Sequence, residues 1–290
     1  MEIIRASRYA GFCGGVKRAW KLAVEEAGAG NGPVYISGKL IHNTPAMNEL
    51  EGMGVQELNV LEAQGVEPGT PFILRAHGEG PAVYEKANEL KLRLIDGTCG
   101  IVRSVQKRAR ELEGQGFQVV LYGHRNHPEA KATVAHTEHG IIIESAEEAK
   151  ALPFYPKIAA IAQTTSSSRQ YVEVCQALRN RCEQFEDQGH ICDFTQRAQN
   201  EAATLARQVG TMVVVGGRDS SNTQRLVEVC AEQCATHHVE TAAELDPAWF
   251  HGIHRVGVTA GASTREADLE AVVRRLREIG DALQGAPGEE

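Results

Sequence analysis

The 290-residue chain has no long apolar run. Its longest stretches, KIAAIAQ and TMVVVGG, are of strand length, whereas a spanning helix needs about 20 apolar residues. A membrane span is excluded on that count. A basic run is missing too, and 30 Lys+Arg against 38 Asp+Glu leave a formal net charge of −8. A nucleic-acid surface would need the opposite sign. No P-loop and no dinucleotide glycine fingerprint occur. The opening MEIIRASRYAGFC carries no secretory apolar stretch, and seven cysteines are an odd number for a disulfide framework. A reduced, cytoplasmic setting is therefore expected. No stretch rich in Pro, Gly or Ser marks a mobile linker, and 42% hydrophobic content is that of a soluble globular enzyme.

What is present is a repeat. Cys13 in GFCGGVKRAWKLAVEEA, Cys99 in GTCGIVRSVQKRARELEGQG and Cys192 in HICDFTQRAQNEAATLARQVG each open a helical stretch, at gaps of 86 and 93 residues. A helix N-terminus favours thiolate through its dipole and free N–H groups. Thiolates are what a soft metal or an iron–sulfur centre requires. Three of them can meet only if three units surround an axis.

The rest of each unit repeats as well. An apolar strand ending in Gly38, Gly123 or Gly217 precedes a polar loop, and 35 to 42 residues beyond that loop a second apolar strand ends in another. Strands alternating with helices give parallel βαβ units. In parallel sheets the loops at strand carboxyl ends hold ligands. Six such loop tips carry His42 and His77; His127 and Glu129 with Thr164 and Thr165; and Ser220, Ser221 and Asn222 with Ser263.

The fold class expected is α/β, with three pseudo-threefold-related βαβ units in a trefoil around a central metal centre. The segments are residues 1–97 with the N-terminal strand, 98–190 and 191–283, followed by a disordered tail at 284–290. Helices are expected at Lys17–Ala27, Val102–Gln115, Arg169–Phe185, Ala198–Val209, Thr223–Cys234 and Arg265–Leu283, among shorter ones. Cys175 and Cys182 fall on one of these and Cys230 and Cys234 on another, where a free cysteine packs as a small hydrophobe. Cys13, Cys99 and Cys192 instead share one phase of the repeat and are read as ligands. Three thiolates could hold zinc with a water, or a cubane cluster with one open iron. Donors from distant segments suit the cluster better than a compact zinc site.

The segments GFCGGVKRA, LIHN, AHG, TCGIV, GHRNHPE, AQTTS, SSNT and VTAGAS occur in that order from residue 11 to residue 263. Together they resemble the LytB family of 4-hydroxy-3-methylbut-2-enyl diphosphate reductases of the non-mevalonate isoprenoid pathway. The resemblance implies one 4Fe–4S cluster per chain on Cys13, Cys99 and Cys192, and an allylic diphosphate that loses its hydroxyl with two electrons and two protons. Isopentenyl and dimethylallyl diphosphate would be the products, and a ferredoxin or flavodoxin the electron donor. Glu129 would give protons, His127 and Thr165 would orient the substrate and relay them, and Thr164 would stand beside them. His42, His77, Ser220, Ser221, Asn222 and Ser263 would form the diphosphate set, with His124 behind them. The alternative is an iron–sulfur hydro-lyase, which consumes no electrons, or a related reductase acting on a different small phosphorylated substrate. The chain departs from the family in having Gly97 and Gly100 around Thr98-Cys99. It also reads Thr195-Gln196-Arg197-Ala198-Gln199 where Thr-Thr-Asn-Arg-Gln is usual.

Overall fold

A computed structural model describes residues 1–6, 9–30 and 32–285. Among the described residues twelve strands form three four-stranded sheets, all parallel. The first contains β2 (Val34–Ile36), β3 (Val55–Glu57), β4 (Pro71–Leu74) and β5 (Arg93–Asp96), in the order β3-β2-β4-β5. The second contains β6 (Gln118–Tyr122), β7 (Ile141–Ile143), β8 (Tyr155–Ala162) and β9 (Cys182–Asp187), in the order β7-β6-β8-β9. The third contains β10 (Thr211–Val215), β11 (Ala235–Val239), β12 (Arg255–Ala260) and β1 (Glu2–Arg5), in the order β11-β10-β12-β1.

The central strands are covered on both faces, and their sequences run apolar without alternation, as parallel strands do. All five residues of β10 (TMVVV) are buried, and so are the last five of β8 (IAAIA). The helices bury one stripe each. In α4 (Gly100–Gly114), Val102, Val105, Gln106, Ala109 and Leu112 recur at the three- and four-residue spacing of one helix face.

The three sheets share one strand order, and the third is completed from the beginning of the chain. β1 pairs with β12 from Glu2 opposite Arg255 to Arg5 opposite Val258. The expected first segment, residues 1–97, includes this strand; it lies instead in the sheet of the last segment. In this frame β1, β5 and β9 are equivalent strands, and each leads into one of the three spaced cysteines. Residues 14–41 and 47–192 make one compact unit, holding the first two sheets. Residues 1–13 and 42–46, with the chain from 193 onward, make the other, holding the third sheet.

Three helices end earlier than their apolar spacing indicates, one of them the helix Asp193–Ala206, which stops three residues short of Val209. α7 (Ser168–Arg179) stops at Asn180, and Cys182 belongs to β9, paired with Tyr155 of β8. Strand pairing there overrides a helical periodicity that no Gly or Pro interrupts. α9 (Ser221–Ala231) carries Cys230 but not Cys234, which lies in the turn before β11. α10 (Glu266–Gly285) runs two residues into the segment expected as a tail, and residues 286–290 lie outside the described residues. Among the described residues no helix is long and apolar enough to cross a membrane.

Candidate active site and metal centre

Each spaced cysteine sits between an edge strand and a helix: Cys13 before α1 (Gly14–Gly28), Cys99 before α4 and Cys192 before α8 (Asp193–Ala206). Their backbone contacts repeat. The N–H of Cys99 donates to Ala76 O at 3.0 Å, that of Cys192 to Thr164 O at 2.9 Å, and that of Cys13 to Ala262 O at 3.2 Å. Ala76, Thr164 and Ala262 each lie two residues past the third strand of their sheet. The next residues, His77, Thr165 and Ser263, are therefore equivalent positions, and all three were flagged from sequence. The N-termini of α2 (Thr44–Gly52), α5 (Pro128–Val134) and α9 correspond likewise. They are capped by Asn43, His127 and Ser220, which accept the N–H groups of Ala46, Glu129 and Thr223.

In the unit of residues 14–41 and 47–192, the loops after β6 and β8 meet at Glu129. Its side chain is 3% exposed. Oε1 accepts the Thr164 N–H at 2.6 Å and Oε2 accepts the Thr164 hydroxyl at 2.8 Å. Burial raises the Glu129 pKa from its ordinary value to about 7, against the lowering effect of both hydrogen bonds. His127 accepts the Glu129 N–H through Nδ1 at 3.1 Å, which places the ring proton on Nε2. The His77 ring lies edge-on to it, with centroids 5.3 Å apart. Thr165 receives a hydrogen bond from Gln163 Nε2 at 2.8 Å. His124 takes part through its backbone, its N–H donating to Gln163 Oε1, while its side chain is exposed.

The loop carrying His77 is clamped by residues that sequence reasoning did not single out. Arg75 pairs with Glu79 at 2.7 Å, and Ser37 Oγ donates to the same carboxylate oxygen at 2.7 Å. His136, whose pKa burial pushes below the ordinary value, binds the Glu79 carbonyl through Nε2.

In the other unit the start of α9 gathers the hydroxyl set. Ser263 Oγ donates to His42 O at 3.1 Å and lies 3.4 Å from Ser220 Oγ. Asp219, also unflagged, stands 3.2 Å from His42 Nδ1. Asn222 is 4% exposed, and neither atom of its amide has a hydrogen-bond partner among the described residues. Leaving such a group unpaired costs about 1–3 kcal/mol. A helix N-terminus with two serines and an unpaired amide is built to receive an anion or a hydroxyl.

The cysteines sort into two kinds. Burial pushes the thiols of Cys175 and Cys230 up to about 11 and about 12, and those of the half-buried Cys182 and Cys234 upward as well, away from the thiolate a metal needs. Cys13, Cys99 and Cys192 form no disulfide and are half-buried, at helix starts. Room has been left beside Cys99: a Cβ on Gly15 would stand 2.8 Å from its Sγ. Three soft thiolates in equivalent positions are a donor set that fits an iron–sulfur cluster.

Among known proteins, the LytB protein family model matches residues 3–277. A 4-hydroxy-3-methylbut-2-enyl diphosphate reductase of Geobacter sulfurreducens is 42% identical over 287 residues, covering 98% of this chain and all of that one. One from Pelobacter propionicus is 43% identical over 281 residues, covering 96% and 99%. A solved structure described as the reductase terminating the non-mevalonate pathway superposes with a TM-score of 0.70 at 36% identity, covering 96% of this chain and 100% of that one. The corresponding reductase of Plasmodium falciparum gives 0.88 at 27% identity, covering 94% and 87%. With the repeated cysteine geometry and nearly full-length similarity, the chain belongs to the LytB protein family.

Proposed function

We propose that this protein is the iron–sulfur oxidoreductase that converts (E)-4-hydroxy-3-methylbut-2-enyl diphosphate into isopentenyl and dimethylallyl diphosphate, the last step of the non-mevalonate isoprenoid pathway. The family and its named members support the reaction. The observation that carries the residue assignment is Glu129: a buried carboxyl with a pKa near 7, in a loop at a strand carboxyl end.

Cys13, Cys99 and Cys192 would hold one 4Fe–4S cluster, which when bound supplies electrons and an iron with no protein ligand. The remaining work falls to the chain. The C–O bond of the allylic alcohol breaks and its oxygen leaves as water after taking one proton. Two electrons enter the five-carbon skeleton, and a second proton adds at either allylic carbon, which accounts for two products. Glu129, protonated over much of the neutral range, is suited to give the first proton, because hydroxide is a poor leaving group. Thr164 holds that carboxyl in place, and Thr165 and the Nε2 proton of His127 are donors for the hydroxyl end. Ser220, Ser221, Asn222 and Ser263, with the imidazoles of His42 and His77, would take the diphosphate through hydroxyls, an amide and helix N–H groups. A one-electron carrier such as a ferredoxin or flavodoxin would deliver the electrons, in a reduced cytoplasm that suits seven cysteines in no disulfide.

Anaerobic purification with iron and sulfide analysis, followed by turnover of the allylic diphosphate with and without reductant, tests the reading. Reductant-dependent formation of both products is expected. Water loss or addition without reductant would assign a hydro-lyase instead.

A further inference from the structure

The helices that follow Cys13 and Cys99 carry the wrong charge for their position. Residues 14–24 hold Lys17, Arg18 and Lys21, residues 100–110 hold Arg103, Lys107, Arg108 and Arg110, and neither stretch contains an acid. This is in a chain whose acids outnumber its Lys and Arg. A helix N-terminus favours acids, and like charges four residues apart destabilise a helix by about 0.2–0.5 kcal/mol. Yet the positions four and eight after these cysteines are Lys17 and Lys21, and Arg103 and Lys107, all exposed and each pair on one face of its helix. The third repeat has the neutral Gln196 and Asn200 there. A pattern that weakens two helices at equivalent places serves something outside them.

The two stripes meet at Asp96. Its carbonyl accepts Arg18 Nη2 at 3.0 Å and its carboxylate accepts Arg103 Nη2 at 2.8 Å, while Arg18 Nη1 donates to Thr98 O at 3.2 Å. Lys21 and Lys107 pair with acids one turn farther from the cysteines, Glu25 at 3.4 Å and Glu111 at 3.6 Å. Exposed pairs of that kind contribute about 1 kcal/mol or less. Beside α4 opens a groove of about 510 Å³, walled by Ile101, Ser104 and Arg108 on one side and by Gln188, Gly189 and His190 on the other. One wall is the start of the helix after Cys99, and the other is the chain just before Cys192. The basic surface therefore borders two of the three proposed ligands. A cluster on those thiolates would itself be anionic. Lys21 and Lys107, however, stand about 12 Å along their helices from the cysteines, beyond the screening length of about 8 Å in physiological salt. They do little for a charge at the cysteines and much for a large anion arriving from solvent.

We infer that the cationic stripes of α1 and α4, with the groove beside α4, form the docking surface for an acidic one-electron carrier protein. The inference rests on the proposed function. Two reduced carriers dock in turn and each loses one electron; these two electrons and two protons convert the allylic alcohol into the dehydroxylated diphosphate and water. Charge complementarity selects the partner, because cations clustered on an otherwise acidic molecule steer an acidic protein and speed its arrival about tenfold or more.

The double variant Lys21→Glu/Lys107→Glu tests it, since both side chains are exposed and two helical turns past the cysteines. The control is Lys150→Glu/Arg274→Glu, the same change of net charge at two exposed positions on other helices. The probe is a ferredoxin of strongly negative net charge, titrated calorimetrically into the anaerobic, iron-loaded protein. Wild type and control should bind it alike, with an affinity that falls as salt rises. The double variant should bind it about tenfold or more weakly, with a flatter salt dependence. Iron content, visible absorbance and kcat with reduced methyl viologen, a small dication that needs no docking surface, should match wild type. An affinity unchanged in the double variant, or lowered as much in the control, would overturn the inference, as would failure of wild type to bind the ferredoxin at low salt. Loss of iron from the double variant would assign the stripes to the metal centre. A salt-sensitive wild-type dimer that the double variant dissociates would assign them to a second copy of the chain. Wild-type protein that turns over with neither ferredoxin nor methyl viologen would overturn the proposed function instead.

Discussion

Replacing Glu129 with Gln separates the stability of the fold from the chemistry it serves. Moving a buried carboxyl from 4.5 to about 7 disfavours its ionised form by about 3 kcal/mol. Because the pKa is higher in the folded protein than in the unfolded chain, the native state binds the extra proton. Wild-type stability from this group is therefore complete below pH 4.5 and is lost as pH rises through about 7. Glutamine carries no charge at any pH. Its carbonyl can still accept the Thr164 N–H, and its NH₂ can donate to the Thr164 hydroxyl oxygen. Urea unfolding of both proteins, anaerobic and at equal iron content, should give similar stabilities at pH 4.5. At pH 8.5 Glu129→Gln should be more stable by up to about 3 kcal/mol. Turnover should move the other way, falling about 10²–10⁴-fold in the variant, the usual contribution of a general acid. Wild-type kcat should itself decline above pH 7 as the acid loses its proton. A stability difference that does not change with pH would mean Glu129 is not a buried neutral acid. Near-normal turnover with iron intact would place the acid elsewhere, with Thr165 or a bound water as the next suspect.

Three further outcomes are expected. Cys13→Ser, Cys99→Ser and Cys192→Ser should each abolish the broad visible absorbance and the activity, whereas Cys175→Ala and Cys230→Ala should keep both; retention of absorbance in any of the first three would remove that residue from the ligand set. Gly15→Ala should lower the iron content because its Cβ would stand 2.8 Å from Cys99 Sγ, while Gly14→Ala, where a Cβ meets nothing within 4 Å, should load normally; equal iron in the two would show that the space beside Cys99 is not needed. Asn222→Leu should stabilise the substrate-free protein by about 1–3 kcal/mol by removing an unpaired buried amide, and should weaken binding of the diphosphate measured by calorimetry.

The parts of this molecule legible in its sequence are those the repeat writes three times. The cysteine phase, the strand–loop–helix rhythm and the loop residues His77, Thr165 and Ser263 all stand at equivalent positions, so weak local signals reinforced one another. What escaped was set by contacts distant in sequence. The break after Asn180 carries no Gly or Pro, and only pairing of β9 with β8 shows that Cys182 has left the helix. Asp219 and Gln163 each adjoin a flagged residue. Their importance lies in touching His42 in one case, and Thr165 and the His124 N–H in the other. Glu79 reads as a charged loop residue until Arg75 and Ser37 are seen to enclose it. Assigning β1 to the last sheet required its register with β12, since four residues with no alternation of burial could pair with almost any edge.

That pairing bears on biosynthesis. Arg255 follows its partner Glu2 by 253 residues, so β1 leaves the ribosome long before the strand it needs. The sheets built from β2 to β5 and from β6 to β9 can each close on contiguous chain. β1 must meanwhile wait with its hydrogen-bonding edge unpaired, a state prone to wrong partners. The carbonyl that anchors Cys13, that of Ala262, comes equally late. A nascent chain stopped before Arg255 has the carbonyls that accept the Cys99 and Cys192 N–H groups but not that of Ala262, which accepts the Cys13 N–H. In the proposed reading, the full set of three ligands is positioned only once translation has passed the last strand.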